Sequence, residues 1–127
     1  MSLVALGIIN DDGLLLLSQT ADHGQFQIPT SDVATRLEDI DVVRHVCTAT
    51  GIMLNLESAT VAQLEDYNFR GEIYQPYMVH VHHKGPAFIT PLIRTQWVEG
   101  IQMYNLHERD RLLAGMFKQE SRRVGAR

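Results

Sequence analysis

Short apolar runs and their turns define the first part of the chain. Residues 3–9 and 14–19 form two mainly apolar runs, and Asn10-Asp11-Asp12-Gly13 between them is a strong turn signal. Together they predict a β-hairpin with a turn of the Asp-Gly type. Residues 26–29 alternate as a strand would, and Pro29 is expected to end the pairing because it has no N–H to donate.

An amphipathic helix is predicted next, ending near Gly51. Thr35 and Glu38 have the spacing of a capping box, with Thr35 as the N-cap residue. Gly51 suits the left-handed residue that ends many helices. The predicted buried stripe consists of Ile40, Val43, Val46 and Cys47. An ordinary core helix would show the same features, so the pattern alone indicates no chemistry.

Three further strand regions and a closing helix are predicted in the second half of the chain. A strand centred on Leu56 or Val61 precedes a turn at residues 68–72, and the next strand covers residues 73–83. A later strand covers residues 94–98, and Asn105 is a candidate cap for a helix over residues 107–118. The predicted inner side of that helix consists of Leu106, Leu112, Leu113, Met116 and Phe117.

Composition indicates a single globular domain. The 127 residues can form a sizeable core, and we assign residues 1–119 to one domain and residues 120–127 to a disordered tail. A net charge of -4 argues against a nucleic-acid surface, and the apolar run at residues 3–9 is too short to span a bilayer. The single cysteine, Cys47, cannot form an internal disulfide, which favours a cytoplasmic location.

Residues 30–52 resemble the Nudix box in their spacing. With Arg44 aligned to the arginine of the motif, the register runs without a gap from Thr30 to Ile52. The matching positions are Arg44, Val46, Gly51 and Ile52. Thr30 replaces the first glycine, Arg36 the first glutamate and His45 the second, while Thr48-Ala49 replaces the glutamate pair.

The resemblance extends over most of the chain. The opening hairpin, the approach Phe26-Gln27-Ile28-Pro29 and the late pair Trp97-Val98 are similar to Nudix elements in their order. The resemblance implies an α/β (α+β) fold, a Nudix-type α/β/α sandwich with a mixed β-sheet and two main helices. It also implies a dimer as the default assembly.

Nudix proteins hydrolyse nucleoside diphosphates linked to another group, with Mg²⁺ or Mn²⁺ held by the glutamates of the box helix. Positions 45, 48 and 49 share one helix face, which here carries an imidazole, a hydroxyl and a methyl group. Mg²⁺ prefers oxygen ligands, so we assign neither a catalytic residue nor a metal ligand. If the protein is active with Mg²⁺ or Mn²⁺, other acids such as Glu38 or Glu65 must hold the ion. Arg44 is expected to keep the family's structural role of pinning the box loop.

A ligand site is predicted from aromatic and histidine side chains. His80 and His82 share one strand face, a spacing that a Zn²⁺ site can use, but the sequence places no cysteine or acid to complete it. The predicted ligand-binding residues are Phe26, Tyr74, Tyr77, His80 and His82. The preferred hypothesis is a nucleotide-binding or regulatory module for a nucleotide-like small molecule. The alternatives are a divergent Mg²⁺-dependent hydrolase and a protein-interaction domain without a small ligand.

Overall fold

The computed structural model describes residues 2–20, 26–34, 37–82, 93–99 and 106–125. Two helices in these ranges are α1 (Asp39–Thr50) and α2 (Glu108–Gly125). The strands are β1 (Ser2–Ile9), β2 (Leu15–Thr20), β3 (Thr30–Val33), β4 (Thr60–Gln63), β5 (Tyr67–Phe69), β6 (Glu72–His80) and β7 (Ile93–Val98). No helix in this part of the chain is both long enough and apolar enough to cross a membrane.

The strands form one mixed sheet in the order β4-β6-β1-β2-β7. β1 and β6 pair in parallel, with Leu3 opposite Tyr74 and Ile9 opposite His80, whereas the other strand pairs are antiparallel. β3 pairs with the first half of β1, and β5 pairs with the start of β6. The long parallel pair therefore forms the centre of the sheet.

One helix covers each face of the sheet. Successive residues of a strand point to opposite faces, so Leu6 packs in the cluster with α1 whereas Ala5 packs in the cluster with α2. The α1 face buries Val42, Val43, Val46 and Cys47 against the strands. The α2 face buries Leu113, Ala114 and Phe117. The predicted α/β/α sandwich with a mixed sheet and two main helices is confirmed.

The hairpin between β1 and β2 is also confirmed, and its turn is held by a side chain. The Asn10 Oδ1 atom accepts hydrogen bonds from the backbone N–H groups of Asp12 and Leu14, both at 3.0 Å. Gly13 has a φ of 77°, a left-handed conformation that glycine adopts without strain. The turn is therefore ordered by its own sequence.

The predicted capping box of α1 is wrong. Glu38 is itself the N-cap residue, with an extended backbone (φ -70°, ψ 156°) and no side-chain cap, so it cannot be the third residue of the helix. Thr35, the predicted cap, lies outside the described residues. At the other end Gly51 has a φ of 74° and donates its N–H to the last helical carbonyls, as predicted.

Three strand boundaries differ from the prediction. Pro29 does not end the pairing: β3 begins at the next residue, and the Pro29 carbonyl accepts a hydrogen bond from the Leu6 N–H at 2.9 Å. β5 occupies part of the predicted turn at residues 68–72, so the turn shrinks to Arg70 and Gly71, both with positive φ. The strand expected over residues 73–83 ends at His80 in the structure.

The closing helix is longer than predicted and is rotated relative to the predicted inner side. α2 continues beyond Lys118 to Gly125, so the segment assigned to a disordered tail is helical over most of its length. Leu112 is 49% exposed, whereas Asp110 is buried. The buried positions 110, 113, 114 and 117 follow the i, i+3, i+4, i+7 pattern, and residue 112 lies off that stripe. Asn105 lies outside the described residues, and the domain limits remain a prediction.

Candidate functional site

The outward face of α1 carries the positions that resemble the Nudix box. Arg44, His45, Thr48 and Ala49 are all exposed there, because the opposite stripe of the helix is buried against the sheet. The predicted pinning role of Arg44 is not supported by the described residues. Its side chain is 62% exposed and its ion pair is with Asp41 of the same helix, at 3.7 Å between Nη1 and Oδ1. Arg36, the remaining box position, lies outside the described residues.

This face does not fit the Mg²⁺ or Mn²⁺ ions that Nudix chemistry uses. Mg²⁺ needs near-octahedral oxygen coordination, and of the three positions only Thr48 offers an oxygen, a neutral hydroxyl. Glu38 and Glu65, the alternative acids, are both exposed. Within the described ranges, neither belongs to a group of three His, Cys, Asp or Glu side chains close enough to share an ion.

A cavity of about 610 Å³ lies beside the carboxyl end of α1. Its lining includes Arg44, Cys47 and Thr48 from the helix and Ile52 with residues 53–57 from the following segment. Burial raises the pKa of the Cys47 thiol to about 11, so this sulfur is protonated at neutral pH and is not a nucleophile. Arg44 is the cationic side chain in this lining.

A second cavity, of about 560 Å³, lies at the hairpin turn. Residues 9–13 form one wall, Met78 and His80 come from β6, and Lys118, Ser121 and Arg122 come from α2. The Lys118 ammonium donates a hydrogen bond to the Gly13 carbonyl at 3.1 Å. Partial burial and the neighbouring Arg122 lower the pKa of Lys118. The two α2 cations face a wall that contains Asp11 and Asp12, so this cavity is mixed in charge.

Asp11 joins His80 and His82 in one cluster at the same end of the sheet. Its Oδ1 atom lies 3.0 Å from Nε2 of His80 and 2.7 Å from Nδ1 of His82. The two imidazole rings are 5.2 Å apart between centroids, although His82 lies two residues beyond the end of β6 and not on the strand as predicted. The hydrogen bond with His82 lowers the pKa of the Asp11 carboxyl. The structure therefore supplies the acid that the sequence analysis lacked.

The two predicted tyrosines lie on opposite faces of the sheet. Tyr77 is buried in the cluster with α1. Tyr74 is buried on the α2 side, where the Arg109 guanidinium lies 5.3 Å from its ring centroid. The Tyr74 hydroxyl donates to Glu72 Oε2 at 3.1 Å and accepts from Arg109 Nη1 at 3.3 Å. Both tyrosines are thus buried and engaged in packing, and from opposite faces they cannot both contact one ligand.

The remaining predicted ligand residues keep accessible surface. Phe26 is half-buried and packs against the α2 cluster, His80 is half-buried, and His82 is exposed. His80 also lines the hairpin-turn cavity. The accessible part of the predicted ligand set therefore centres on the α2 side of the sheet.

A partly buried ion pair at the start of α2 was not predicted: Asp110 is buried and Arg109 is half-buried. Arg109 donates from Nε and Nη2 to Oδ1 of Asp110, at 3.0 and 2.8 Å. Burial raises the pKa of the Asp110 carboxyl, although the guanidinium and a backbone hydrogen bond from Ile28 oppose that rise. The pair joins α2 to the segment before β3, and it has a structural role in this arrangement.

No protein-family model matches the sequence, and no curated protein sequence matches it either. Solved structures are similar in three dimensions. The NUDIX domain of Shewanella oneidensis NrtR, complexed with ADP ribose, has a TM-score of 0.71 at 13% identity, over 94% of this chain and 87% of that one. The E. coli dihydroneopterin triphosphate pyrophosphohydrolase has a TM-score of 0.71 at 11% identity, over 94% and 95%.

A C. elegans Ap4A hydrolase has a TM-score of 0.61 at 12% identity and covers 98% of this chain and 96% of its own. At such low identity the likeness concerns the backbone path, and it does not by itself transfer an activity. It agrees with the observed architecture of a mixed sheet between two helices. The chain has the Nudix fold.

Proposed function

We propose that this protein is a nucleotide-binding or regulatory module on a Nudix fold, and that it does not perform the metal-dependent hydrolysis of Nudix enzymes. One observation carries the proposal: the exposed face of α1 presents His45, Thr48 and Ala49 where that chemistry requires carboxylates. An imidazole, a hydroxyl and a methyl group do not supply the carboxylate oxygens that would hold Mg²⁺ beside a phosphate. The fold is kept, and the charge that would hold the ion is missing.

Three observations support a small phosphorylated ligand. Both cavities fall within the usual range of small-molecule sites, roughly 300–1,000 Å³. The hairpin-turn cavity offers Lys118 and Arg122 as cations, and the α1 cavity offers Arg44. The compounds named with the similar structures, ADP ribose, Ap4A and dihydroneopterin triphosphate, all join phosphates to a ring system. A nucleotide-like molecule is therefore the ligand class that we propose.

The first experiment is a thermal-shift screen in EDTA with ADP ribose, NADH, dinucleoside polyphosphates and nucleoside triphosphates. A ligand that binds only the native state stabilises it by about 2.7 kcal/mol when present at 100 times its Kd. Arg122→Ala and Arg44→Ala then serve as controls for each other, because each removes one exposed cation from a different cavity. The variant whose Tm no longer rises with the ligand identifies the cavity in which the ligand binds. If none of these compounds raises the Tm, the ligand proposal is refuted.

The second experiment measures hydrolysis of the same compounds with Mg²⁺ or Mn²⁺. The variant His45→Glu/Thr48→Glu/Ala49→Glu, which restores carboxylates to the helix face, is assayed beside the natural protein. Metal-dependent turnover by the natural protein would overturn our proposal and favour the divergent hydrolase. Glu38→Gln and Glu65→Gln would then test whether these acids contribute. Light scattering tests the homodimer, which remains a prediction, and co-purification tests the protein-interaction alternative.

A further inference from the structure

Three side chains with metal-binding atoms converge at the hairpin turn, although they are far apart in sequence. Asp11 belongs to the turn after β1, whereas His80 ends β6 and His82 follows it. One ligand atom from each of these residues lies within 4.8 Å of the other two. It is the one such group of three among the described residues.

Strand pairing and the hairpin turn bring these three residues together. The parallel pairing of β1 with β6 sets Ile9 opposite His80, and the Val81 N–H continues it by donating to the Ile9 carbonyl at 2.9 Å. The next residues along both segments are then brought side by side, which places Asp11 near His82. The two hydrogen bonds to Asn10 fix the turn that carries Asp11. A site assembled in this way needs little ordering when an ion binds.

We infer that Asp11, His80 and His82 form a binding site for a divalent transition-metal ion of the Zn²⁺ type. Two imidazoles and a carboxylate suit Zn²⁺, whereas Mg²⁺ prefers oxygen ligands. Ligand atoms at about 2.0–2.1 Å from a tetrahedral ion lie roughly 3.3 Å from one another. Asp11 Oδ1 lies slightly closer than this to the histidine nitrogens, at 3.0 Å from His80 Nε2 and 2.7 Å from His82 Nδ1. Small side-chain rotations would therefore admit the ion.

The surroundings of the cluster permit a cation. Asp12 and Glu99 line the same cavity and offset the positive charge of Lys118 and Arg122 from α2. Three protein ligands leave one position of a tetrahedral ion for water or an anion, the arrangement of an open zinc site. The cluster is partly exposed, so this position is accessible to solvent. The inference concerns a site separate from the α1 face and does not depend on nucleotide binding.

Metal binding would join the hairpin turn to the end of β6 and would stabilise the native state by mass action. The full chain, without a histidine tag, is titrated with Zn²⁺ by calorimetry, and the Tm is followed with Zn²⁺ or with Mg²⁺ alone. We expect one Zn²⁺ per chain and a rise in Tm with Zn²⁺ but not with Mg²⁺. Co²⁺ offers a second readout, because its visible absorption reports coordination by imidazole nitrogen.

Matched variants separate this site from general surface binding. Asp11→Asn and His82→Ala each remove one ligand and should weaken Zn²⁺ binding about tenfold or more. Glu57→Gln and His45→Ala remove an exposed acid and an exposed histidine on the α1 side, away from the cluster, and they should leave the affinity unchanged. His82 is more than half exposed, so its replacement should leave the fold intact. An absence of saturable Zn²⁺ binding, or an equal loss in the control variants, would overturn the inference.

Discussion

The close approach of Gly7 in β1 to Phe117 in α2 gives a quantitative test of the packing. A Cβ atom built on Gly7 would lie within 3.0 Å of Cγ, Cδ1 and Cδ2 of the Phe117 ring. That ring is fully buried, so it has no open space into which to move. Gly7→Ala should therefore force α2 away from the sheet or drive the ring out of its rotamer.

The expected cost follows from the chemistry of overpacking. Adding a methyl group to a well-packed core costs about 1–3 kcal/mol, and a clash with three atoms of an aromatic ring belongs at the upper end. Phe117→Ala alone should cost about 3–5 kcal/mol through lost burial and a cavity. In that background the clash is absent, so the added methyl at position 7 should cost close to nothing. The double-mutant cycle should thus give a coupling of about 3 kcal/mol.

Urea denaturation followed by circular dichroism measures the free energy of unfolding of the four proteins in the cycle. Gly115→Ala is the matched control, because a Cβ there meets no atom within 4 Å and the residue lies inside α2. It should stabilise the protein by about 0.5–1 kcal/mol. The packing argument is refuted if Gly7→Ala leaves the stability unchanged. It is equally refuted if Gly7→Ala costs as much without the Phe117 ring as with it.

Three further predictions concern charge and burial. Arg44→Ala should change the free energy of unfolding by less than about 0.5 kcal/mol, because its pair with Asp41 is exposed; a marked drop in Tm would restore a pinning role. Cys47 should resist alkylation at pH 8 in the native protein and react in urea, since burial raises its thiol pKa to about 11; rapid native labelling would contradict this. The Asp110 carboxyl has a pKa that is raised in the folded state above its usual value of 3.8. Between pH 3.8 and that raised pKa, the native state therefore binds more protons than the unfolded state. The stabilisation from this group is therefore complete below pH 3.8 and is lost as the pH rises through the raised pKa. Asp110→Asn should remove this pH dependence from the free energy of unfolding measured in urea. If the pH dependence persists in the variant, it comes from other groups.

Local pattern was sufficient for much of the fold. The apolar runs around residues 10–13 predicted the hairpin, because the turn is formed by Asn10 and Gly13 within the same short segment. Val43, Val46 and Cys47 of the α1 stripe were predicted for the same reason, since helical periodicity depends on residues one turn apart; the fourth fully buried position is Val42, whereas the predicted Ile40 is half-buried. The capping box failed because Glu38 matches that motif in sequence but has an extended backbone in the structure.

The candidate site depended much less on local pattern. The exposed face of α1 could be predicted, since the spacing of positions 45, 48 and 49 fixes their common direction on any helix. The separation of Tyr74 from Tyr77 also follows from strand alternation, although their burial does not. Arg109 covers Tyr74 from another element, and no pattern in β6 contains that information.

The sequence by itself determined the opening hairpin, the existence of the two helices and most of the apolar stripe of α1, because those features depend on neighbours along the chain. The tertiary structure alone decided which segments meet. Asp11 reaches His80 and His82 only because β1 and β6 pair in parallel with Ile9 opposite His80. A register shifted by one residue would turn the histidines to the other face. Long-range pairing of strands therefore creates the metal-binding cluster, and local sequence does not encode it.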